Sequence, residues 1–243
     1  MYTFLKPVLK KIIPRKFLLN NEFFFRRLLL PLYWGENHKC NICGTKLKKF
    51  AQLPDKTLIC VACGSLPRTR RLYKLLQDEF IKNKFVILDF SPSRIIYKKL
   101  KSRKDISYFP TDFENQFIAD YHFDIRHIDV NDNTFDLIIC YHILEHIDDD
   151  LTAMRQLYRV LKSNGKILIQ TPFTDGEIYE NPKYVSPADR LMHFGQEDHV
   201  RIYSIDGLLE RLKKVGFKTE VLKLGRDNYH GLQDNENIIV CTK

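Results

Sequence analysis

One stretch decides the fold: Phe135-Asp-Leu-Ile-Ile-Cys-Tyr-His-Ile-Leu-Glu-His146, continuing through Asp148-Asp-Asp150 to Leu157-Tyr-Arg-Val-Leu-Lys-Ser-Asn-Gly-Lys-Ile-Leu-Ile169. It is typical of a buried strand, a polar loop, an amphipathic helix, a glycine turn and a second buried strand. Strands joined through a helix form a parallel sheet, and parallel sheets bind ligands at the carboxyl ends of their strands. The stretch therefore predicts an α/β domain with a ligand site at that edge.

The flanking sequence continues the alternation of strands and helices. Lys84-Phe-Val-Ile-Leu-Asp-Phe90 predicts the first buried strand, and Ser91-Pro92 is expected to cap and begin a helix to about Ser102. Further strands are predicted at 106–111, weakly at 122–125, and at 166–171, 217–224 and 237–242, with helices at 148–161 and 204–215. Residues 172–200 hold three prolines without periodicity, which predicts a long functional loop.

The basic charge is concentrated in the N-terminal third. Residues 1–83 carry 17 Lys and Arg against 5 Asp and Glu, a net charge of +12, whereas residues 84–243 carry 22 against 25, a net of −3. Any anionic partner is therefore expected to bind the N-terminal third. Phe4, Leu5, Val8 and related residues recur at helical spacing among lysines, so residues 1–34 either pack on the protein or lie on an anionic membrane surface. Neither a cleaved signal nor a transmembrane helix is expected.

Four of the six cysteines form two C-x-x-C pairs. The pairs are Cys40/Cys43 and Cys60/Cys63, and a glycine directly follows each pair, at Gly44 and Gly64. Two such knuckles complete a tetrahedral sulfur site suited to structural zinc, and metal binding would then fold residues 37–66. A redox dithiol is the competing interpretation, but it does not explain two similar knuckles. Paired thiol ligands also indicate a reducing, cytosolic compartment.

These motifs resemble class I S-adenosylmethionine-dependent methyltransferases. The resemblance covers residues 37 to about 243 and combines the cysteine module, Gly64-Ser-Leu-Pro-Arg-Thr-Arg70, the Leu144-Glu-His146 block, Thr171-Pro172 and the loop that follows. It implies a doubly wound, mostly parallel sheet of seven strands. It also implies a zinc ribbon at 37–66 and a methyltransferase domain at 67–243 with a lid at about 172–203. The helical spacing near the N-terminus adds basic amphipathic helices at 1–36.

The resemblance also implies a set of cofactor-binding residues. The loop after the first strand, Asp89-Phe90-Ser91, stands where family members usually have glycines, and it is similar to a subgroup with an apolar-Phe-Ala-Pro loop. Asp112 matches the acid that accepts hydrogen bonds from the ribose hydroxyls, and Asp124 with Ile125 matches the adenine contact. Cys140, Tyr141 and His142 would lie along the cofactor. A metal site from His142 and His146 is possible on spacing, but the pattern fits the methyltransferase loop better.

The lid is expected to supply any general base for the acceptor. His193 and His199 are candidates because histidine titrates near neutral pH. In the alternative interpretation, His199, Arg201 and Tyr203 pin the lid to the domain and take no part in chemistry.

The resemblance points to bacterial enzymes of surface-glycan assembly. It predicts O-methylation of a sugar hydroxyl on a glycan or lipid-linked precursor, by a cytoplasmic enzyme that is peripheral on the inner membrane. The first alternative is an RNA methyltransferase that binds its substrate through the zinc ribbon. The second is a non-catalytic binding module with a degenerate cofactor site.

Overall fold

A computed structural model describes residues 22–243, so most of the predicted N-terminal anchor, residues 1–21, lies outside the described residues. The chain divides into two compact units. Unit 1 extends to Phe80 and also includes Leu224–Glu236, and unit 2 comprises Ile81–Lys223 and Asn237–Lys243. The boundary therefore falls at residue 80, later than the predicted boundary at 66, because the helix after the second cysteine pair belongs to unit 1.

Unit 1 is built from short elements around the cysteine knuckles. Helix α1 spans Glu22–Leu28 and is followed by a 3-10 turn at Leu30–Leu32. Strand β1 (Trp34–Lys39) pairs antiparallel with β2 (Lys46–Leu47), and β3 (Ala51–Gln52) pairs antiparallel with β4 (Leu58–Ile59). Helix α2 covers Pro67–Leu75, with proline at its start as expected for a position whose N–H needs no partner, and a π-helical turn runs from Leu76 to Phe80.

Two adjacent arginines of α2 hold Leu224–Glu236 within unit 1. The fully buried Arg70 donates hydrogen bonds to the carbonyl oxygens of Ser65, His230 and Gly231, at 2.5, 2.9 and 2.7 Å. Arg71 donates to the carbonyls of Gly225 and Gln233 and pairs with Glu236. Burying a guanidinium group removes it from water, which is unfavourable unless its N–H donors find partners. These hydrogen bonds therefore offset the desolvation free energy of the two buried arginines. They also account for Arg70, the last residue of the motif that begins at Gly64.

Unit 2 contains a six-stranded sheet in the order β12-β13-β8-β7-β5-β6. The strands are β5 (Val86–Phe90), β6 (Ser107–Thr111), β7 (Phe135–Tyr141), β8 (Leu161–Gln170), β12 (Lys218–Leu224) and β13 (Glu236–Thr242). Strands β6, β5, β7 and β8 are parallel, and β13 runs antiparallel to β8. Helices α3 (Arg94–Lys101), α4 (Asp150–Val160) and α6 (Ile205–Val215) alternate with the strands, so the predicted α/β fold with a mostly parallel sheet is confirmed.

The sheet has one strand fewer than predicted in the described part of the chain. The segment expected to form the weak third strand, residues 122–125, makes only isolated bridges, Thr111 with Tyr121 and Asp124 with His127. The chain turns back there because the Asp124 carboxylate accepts a hydrogen bond from the backbone N–H of Arg126 at 2.9 Å. Asp and Asn side chains that bond backbone two residues ahead favour turns over strands.

The region predicted as an irregular loop contains ordered elements. Strands β9 (Phe173–Thr174), β10 (Tyr179–Glu180) and β11 (Arg201–Ser204) form a small sheet, and helix α5 spans Pro187–Phe194. The Ser186 side chain accepts the N–H of Asp189, and Gly195 ends the helix in the left-handed conformation with φ 82°. This Ser-Pro-x-Asp start and Gly end is a recognisable helix signature in the sequence.

Candidate active site and metal centre

The four paired cysteines of unit 1 converge on one point. The Sγ atoms of Cys40 and Cys63 are 3.6 Å apart, those of Cys43 and Cys60 are 3.8 Å apart, and all four lie within 4.8 Å of one another. Four sulfurs at about 2.3 Å from a tetrahedral zinc would be about 3.8 Å apart. The donor set and its spacing therefore fit a zinc ion held by sulfur alone, with no coordination position left for a substrate.

Both knuckles are folded in the same way. The Gly44 N–H donates to the Cys40 carbonyl and the Gly64 N–H donates to the Cys60 carbonyl, each at 2.8 Å, and both glycines have φ 75°. That φ strongly favours glycine, which explains why it follows each cysteine pair. Hydroxyl oxygens lie 3.2 Å from two of the sulfurs, Thr45 Oγ1 from Cys43 and Ser65 Oγ from Cys63. Such second-sphere contacts orient metal-binding thiolates.

The carboxyl edge of the unit 2 sheet carries the predicted cofactor loop. Strand β5 ends at Phe90, and Ser91 then adopts φ 47°, in the left-handed region that glycine usually occupies. The Ser91 N–H donates to the Thr111 carbonyl at 2.7 Å, and its Oγ donates to Asp112 Oδ1 at 2.7 Å. The expected helix start at Ser91-Pro92 is wrong: α3 begins at Arg94, after Ser93, because the left-handed turn at Ser91 precedes it.

Asp112 is nearly buried at the end of β6. Besides Ser91, it accepts the backbone N–H groups of Gln116 and Phe117 on Oδ2, at 2.6 and 3.0 Å. A carboxylate has about four acceptor positions, so about one remains for a ribose hydroxyl in this conformation. Asp112 is therefore fixed in place by its neighbours, as a ligand-orienting group needs to be.

Asp89 is buried one residue before the end of β5. Burial raises the pKa of its carboxyl group to about 7, even though the Tyr108 hydroxyl donates to Oδ2 at 2.7 Å. A carboxyl group with a pKa this far from its usual value often marks a functional site.

Several other predicted cofactor residues face elsewhere. Both Asp124 oxygens accept hydrogen bonds from Arg126, and this partner lowers the pKa of the Asp124 carboxyl. The side chains of Phe90, Ile125 and Cys140 pack in the hydrophobic core of unit 2, and burial raises the pKa of the Cys140 thiol well above its usual value. Only the backbone of these three residues is available to a ligand at this edge.

The turn after β7 contains buried polar atoms without hydrogen-bond partners. His142 adopts φ 55°, its N–H donates to the Gln170 carbonyl at 2.7 Å, and its Nδ1 lies 3.1 Å from Glu145 Oε1. Within residues 22–243 no partner is found for several buried atoms of this region, among them His142 Nε2, Gln170 Oε1, Thr171 Oγ1 and Ser93 Oγ. Buried polar groups are normally paired, so such atoms indicate that a polar ligand completes the site. The ammonium, carboxylate and hydroxyl groups of S-adenosylmethionine are ligands of that kind.

Gln170, Thr171 and Ser93 were not among the predicted site residues. The signal for the first two was present, because Gln170-Thr171 directly follows the apolar run Ile167-Leu-Ile169 at the carboxyl end of β8. Ser93 follows the predicted cofactor residues Asp89, Phe90 and Ser91 in the same loop.

The two candidate bases of the lid have different surroundings. His193 stacks on Tyr184, with ring centroids 3.7 Å apart, and its Nδ1 lies 2.8 Å from the Tyr179 hydroxyl. His199 is 2% exposed, and its ring meets that of His146 edge-on at 4.6 Å. Burial, and then the neighbouring His146, lowers the pKa of His199, which favours the neutral imidazole.

Two of the three residues that the alternative interpretation assigns to pinning the lid, Arg201 and Tyr203, make such contacts. Arg201 donates to the carbonyls of Leu144, Ile147 and Asp148, all in the turn after β7. The Tyr203 hydroxyl donates to Asp150 Oδ2 at 2.5 Å. These bonds hold the lid strand β11 against the turn that carries Glu145 and His146.

Among the described residues, no helix is both long and apolar enough to cross a membrane.

Comparisons with known proteins agree with this geometry. A family model described as "Methyltransferase domain" matches residues 63–222. An uncharacterized protein of Methanocaldococcus jannaschii is 30% identical over 134 residues, covering 55% of this chain and 48% of that protein. A tRNA U34 carboxymethyltransferase of Helicobacter pylori is 22% identical over 228 residues, covering 90% of this chain and 77% of that enzyme. The chain thus spans about half the length of the archaeal relative and more of the bacterial one.

One solved structure shares the fold at low sequence identity. It is a complex between the Haloferax volcanii Trm112 methyltransferase activator and a methyltransferase, with 11% identity and a TM-score of 0.52, covering 70% of this chain and 88% of that chain. The family match covers more than half of the chain, and the matched region contains the whole carboxyl edge described above. The protein therefore belongs to the methyltransferase domain family.

Proposed function

We propose that this protein transfers a methyl group from S-adenosylmethionine to RNA, with tRNA as the acceptor class. The observation that carries the proposal is a set of exposed lysines on unit 1. Lys39, Lys48, Lys49 and Lys56 are all exposed, and none forms an ion pair with another described residue. Lysines that neutralise phosphates release counterions, and this is the main source of affinity for nucleic acids.

An exposed aromatic side chain accompanies these lysines. Trp34 is 74% exposed at the start of β1. The half-buried Tyr33 and His38 line a cavity of about 300 Å³ in unit 1 together with Lys49 and the buried Phe50. Bases stack on such aromatic faces, and stacking contributes about 1–3 kcal/mol per base. The similarity to tRNA U34 carboxymethyltransferases over most of the chain gives independent support.

Zinc in this proposal is structural. The four sulfurs would hold the knuckles and thereby present the lysines between them, and the ion would take no part in the transfer. The cluster is formed wholly from residues of unit 1.

In unit 2, the chain's own groups would bind and orient the methyl donor. Asp112 would accept a ribose hydroxyl, and the left-handed turns at Ser91 and His142 would bring backbone close to the ligand. When bound, S-adenosylmethionine supplies an electrophilic methyl group on a sulfonium. The roles of Asp89 in supporting the loop and of Gln170 and Thr171 in binding the amino-acid end belong to the same proposal.

The glycan acceptor and the membrane surface expected from the sequence find no support in the comparisons. They remain alternatives that the same experiment addresses. The protein is incubated with methyl-labelled S-adenosylmethionine and separate tRNA, lipid-linked glycan and protein fractions. We expect ribonuclease-sensitive label in tRNA, and mass spectrometry of its nucleosides identifies which nucleoside carries the methyl group. Label confined to the glycan or protein fraction would refute the RNA proposal.

A further inference from the structure

Three metal-ligating side chains meet at the turn after β7, apart from the cysteine cluster. Glu145 and His146 lie in the 3-10 turn Leu144–His146, and His199 precedes β11 by two residues. One ligand atom from each lies within 4.8 Å of the others. The backbone N–H of Val200 donates to the Glu145 carbonyl at 2.9 Å, which fixes the two chain segments side by side.

The interior of this cluster is polar, buried and incompletely bonded. Glu145 is 1% exposed and His199 is 2% exposed. Among the described residues, no hydrogen-bond partner is found for either ring nitrogen of His199 or for Glu145 Oε2. Leaving such atoms unpaired inside a protein is unfavourable. A bound cation would satisfy the carboxylate oxygen and one imidazole nitrogen at once.

The surrounding groups have the arrangement that supports metal ligands. Asp198 Oδ2 lies 3.2 Å from His146 Nδ1, and His142 Nδ1 lies 3.1 Å from Glu145 Oε1. Carboxylate–histidine pairs of this kind orient a ligand and set its tautomer.

We propose that Glu145, His146 and His199 bind a divalent transition-metal cation at the carboxyl edge of the unit 2 sheet. Two imidazoles and one carboxylate suit Mn²⁺, Fe²⁺ or Zn²⁺ better than Mg²⁺ or Ca²⁺, which prefer oxygen ligands alone. Three protein ligands leave positions open, in contrast to the four-sulfur cluster. Water or an oxygen of the acceptor would occupy those positions. This assignment replaces the predicted role of His199 as a general base, and it holds whether or not RNA is the acceptor.

The test uses the full chain with its zinc content measured beforehand. Mn²⁺ is added, and the loss of the free-ion electron paramagnetic resonance signal gives the affinity, while electron spin-echo modulation reports coordinated imidazole nitrogen. We expect about one Mn²⁺ per chain with nitrogen modulation. His199→Ala and Glu145→Gln should weaken binding at least 10-fold, the lower end of the loss seen when even supporting groups are removed.

His193→Ala is the matched control, because His193 is a lid histidine whose contacts are Tyr179 and Tyr184. It should bind Mn²⁺ like the wild type. His146→Gln guards against misfolding, since the His146 side chain is 29% exposed and its loss leaves no buried cavity. The proposal is wrong if the wild type binds no Mn²⁺ at millimolar concentration, or if folded His146→Gln and His199→Ala proteins bind as tightly as the wild type.

Discussion

The cysteine cluster of unit 1 and the carboxyl edge of unit 2 are assembled in opposite ways. The cluster consists of two local pairs, each closed by a knuckle whose geometry depends on the residues directly beside it. The carboxyl edge draws on four strand ends and a lid, and its partners are far apart in the chain: Glu145 and His199 are separated by 54 residues. Local spacing therefore specifies the first site, whereas tertiary folding specifies the second.

The two regions also differ in how completely their polar atoms are bonded. In unit 1, the buried Arg70 has all of its nitrogens hydrogen-bonded to carbonyl or hydroxyl oxygens. At the carboxyl edge, by contrast, buried atoms of His142, Gln170, Thr171 and His199 find no partner in the part of the chain that the structure describes. Asn41 Oδ1 of unit 1 also lacks a partner among the described residues, so the contrast is between the Arg70 guanidinium and the carboxyl edge.

The largest expected effect comes from breaking the cysteine cluster. Cys60→Ala should abolish binding of zinc and unfold unit 1, because a structural zinc contributes on the order of 10 kcal/mol to such modules. Cys241→Ala removes the same atoms from a buried cysteine of unit 2 and should leave the zinc content unchanged. Elemental analysis and hydrogen exchange over residues 37–66 would measure both. Normal zinc content in Cys60→Ala would contradict the assignment.

Arg70→Lys tests whether the hydrogen bonds of the Arg70 guanidinium stabilise unit 1. Lysine cannot reach the carbonyls of Ser65, His230 and Gly231 together, so the free energy of unfolding should fall by about 2–4 kcal/mol. Arg68→Lys makes the same change on the exposed face of α2 and should cost less than about 0.5 kcal/mol. Urea unfolding of the zinc-loaded proteins gives both values, and equal stabilities would show that Arg70 does not hold Leu224–Glu236.

Asp112→Asn tests whether the Asp112 carboxylate binds the cofactor at the carboxyl edge of unit 2. Hydrogen bonds to a charged group contribute about 1.5–3 kcal/mol, so affinity for S-adenosylhomocysteine should fall about 10- to 100-fold. Asp120→Asn alters an aspartate on the same side of the sheet that is paired with Lys101 and Tyr97, and it should leave this affinity unchanged. Calorimetric titration measures both variants. Similar losses in the two would mean that Asp112 has no specific role in binding.

Ser91 allows the smallest and most local test. Ser91→Ala and Ser91→Gly both lose the hydrogen bond to Asp112, but only glycine is relaxed at φ 47°. The glycine variant should therefore be more stable than the alanine variant by about 1 kcal/mol. Thermal unfolding of the pair gives the difference directly. Alanine as stable as glycine would show that the left-handed turn is not maintained in solution.

Much of this molecule was predictable from its sequence because it is coded by local patterns. The buried strands at 86–90 and 135–141, the helix capped by Gly216 and the four-cysteine cluster all depend on residues adjacent in the chain. The strand predicted at 122–125 does not form, because Asp124 favours a turn there. Helix α5 is absent from the prediction, although Ser186, Pro187 and Gly195 mark its ends.

The site itself was predictable only in part. Strand ends located Asp112 and His142 at the correct edge, but they could not show that Phe90 and Cys140 face the core. The orientation of a side chain at a strand end depends on the pleat and on the residues packed against it. The contact of His199 with Glu145 and His146 likewise depends on how the lid packs against the turn after β7. The spacing of these residues in the sequence does not predict that packing.

The central claim is that unit 1 binds RNA and unit 2 binds the methyl donor, and one measurement separates them. A variant with Lys39, Lys48, Lys49 and Lys56 changed to glutamine is compared with the wild type for tRNA affinity across salt concentration and for S-adenosylhomocysteine affinity. We predict that tRNA binding weakens and its logarithmic salt slope falls by up to about four, about one per phosphate contact, while cofactor affinity is unchanged. If the wild type binds tRNA without dependence on these lysines, or not at all, the account is wrong.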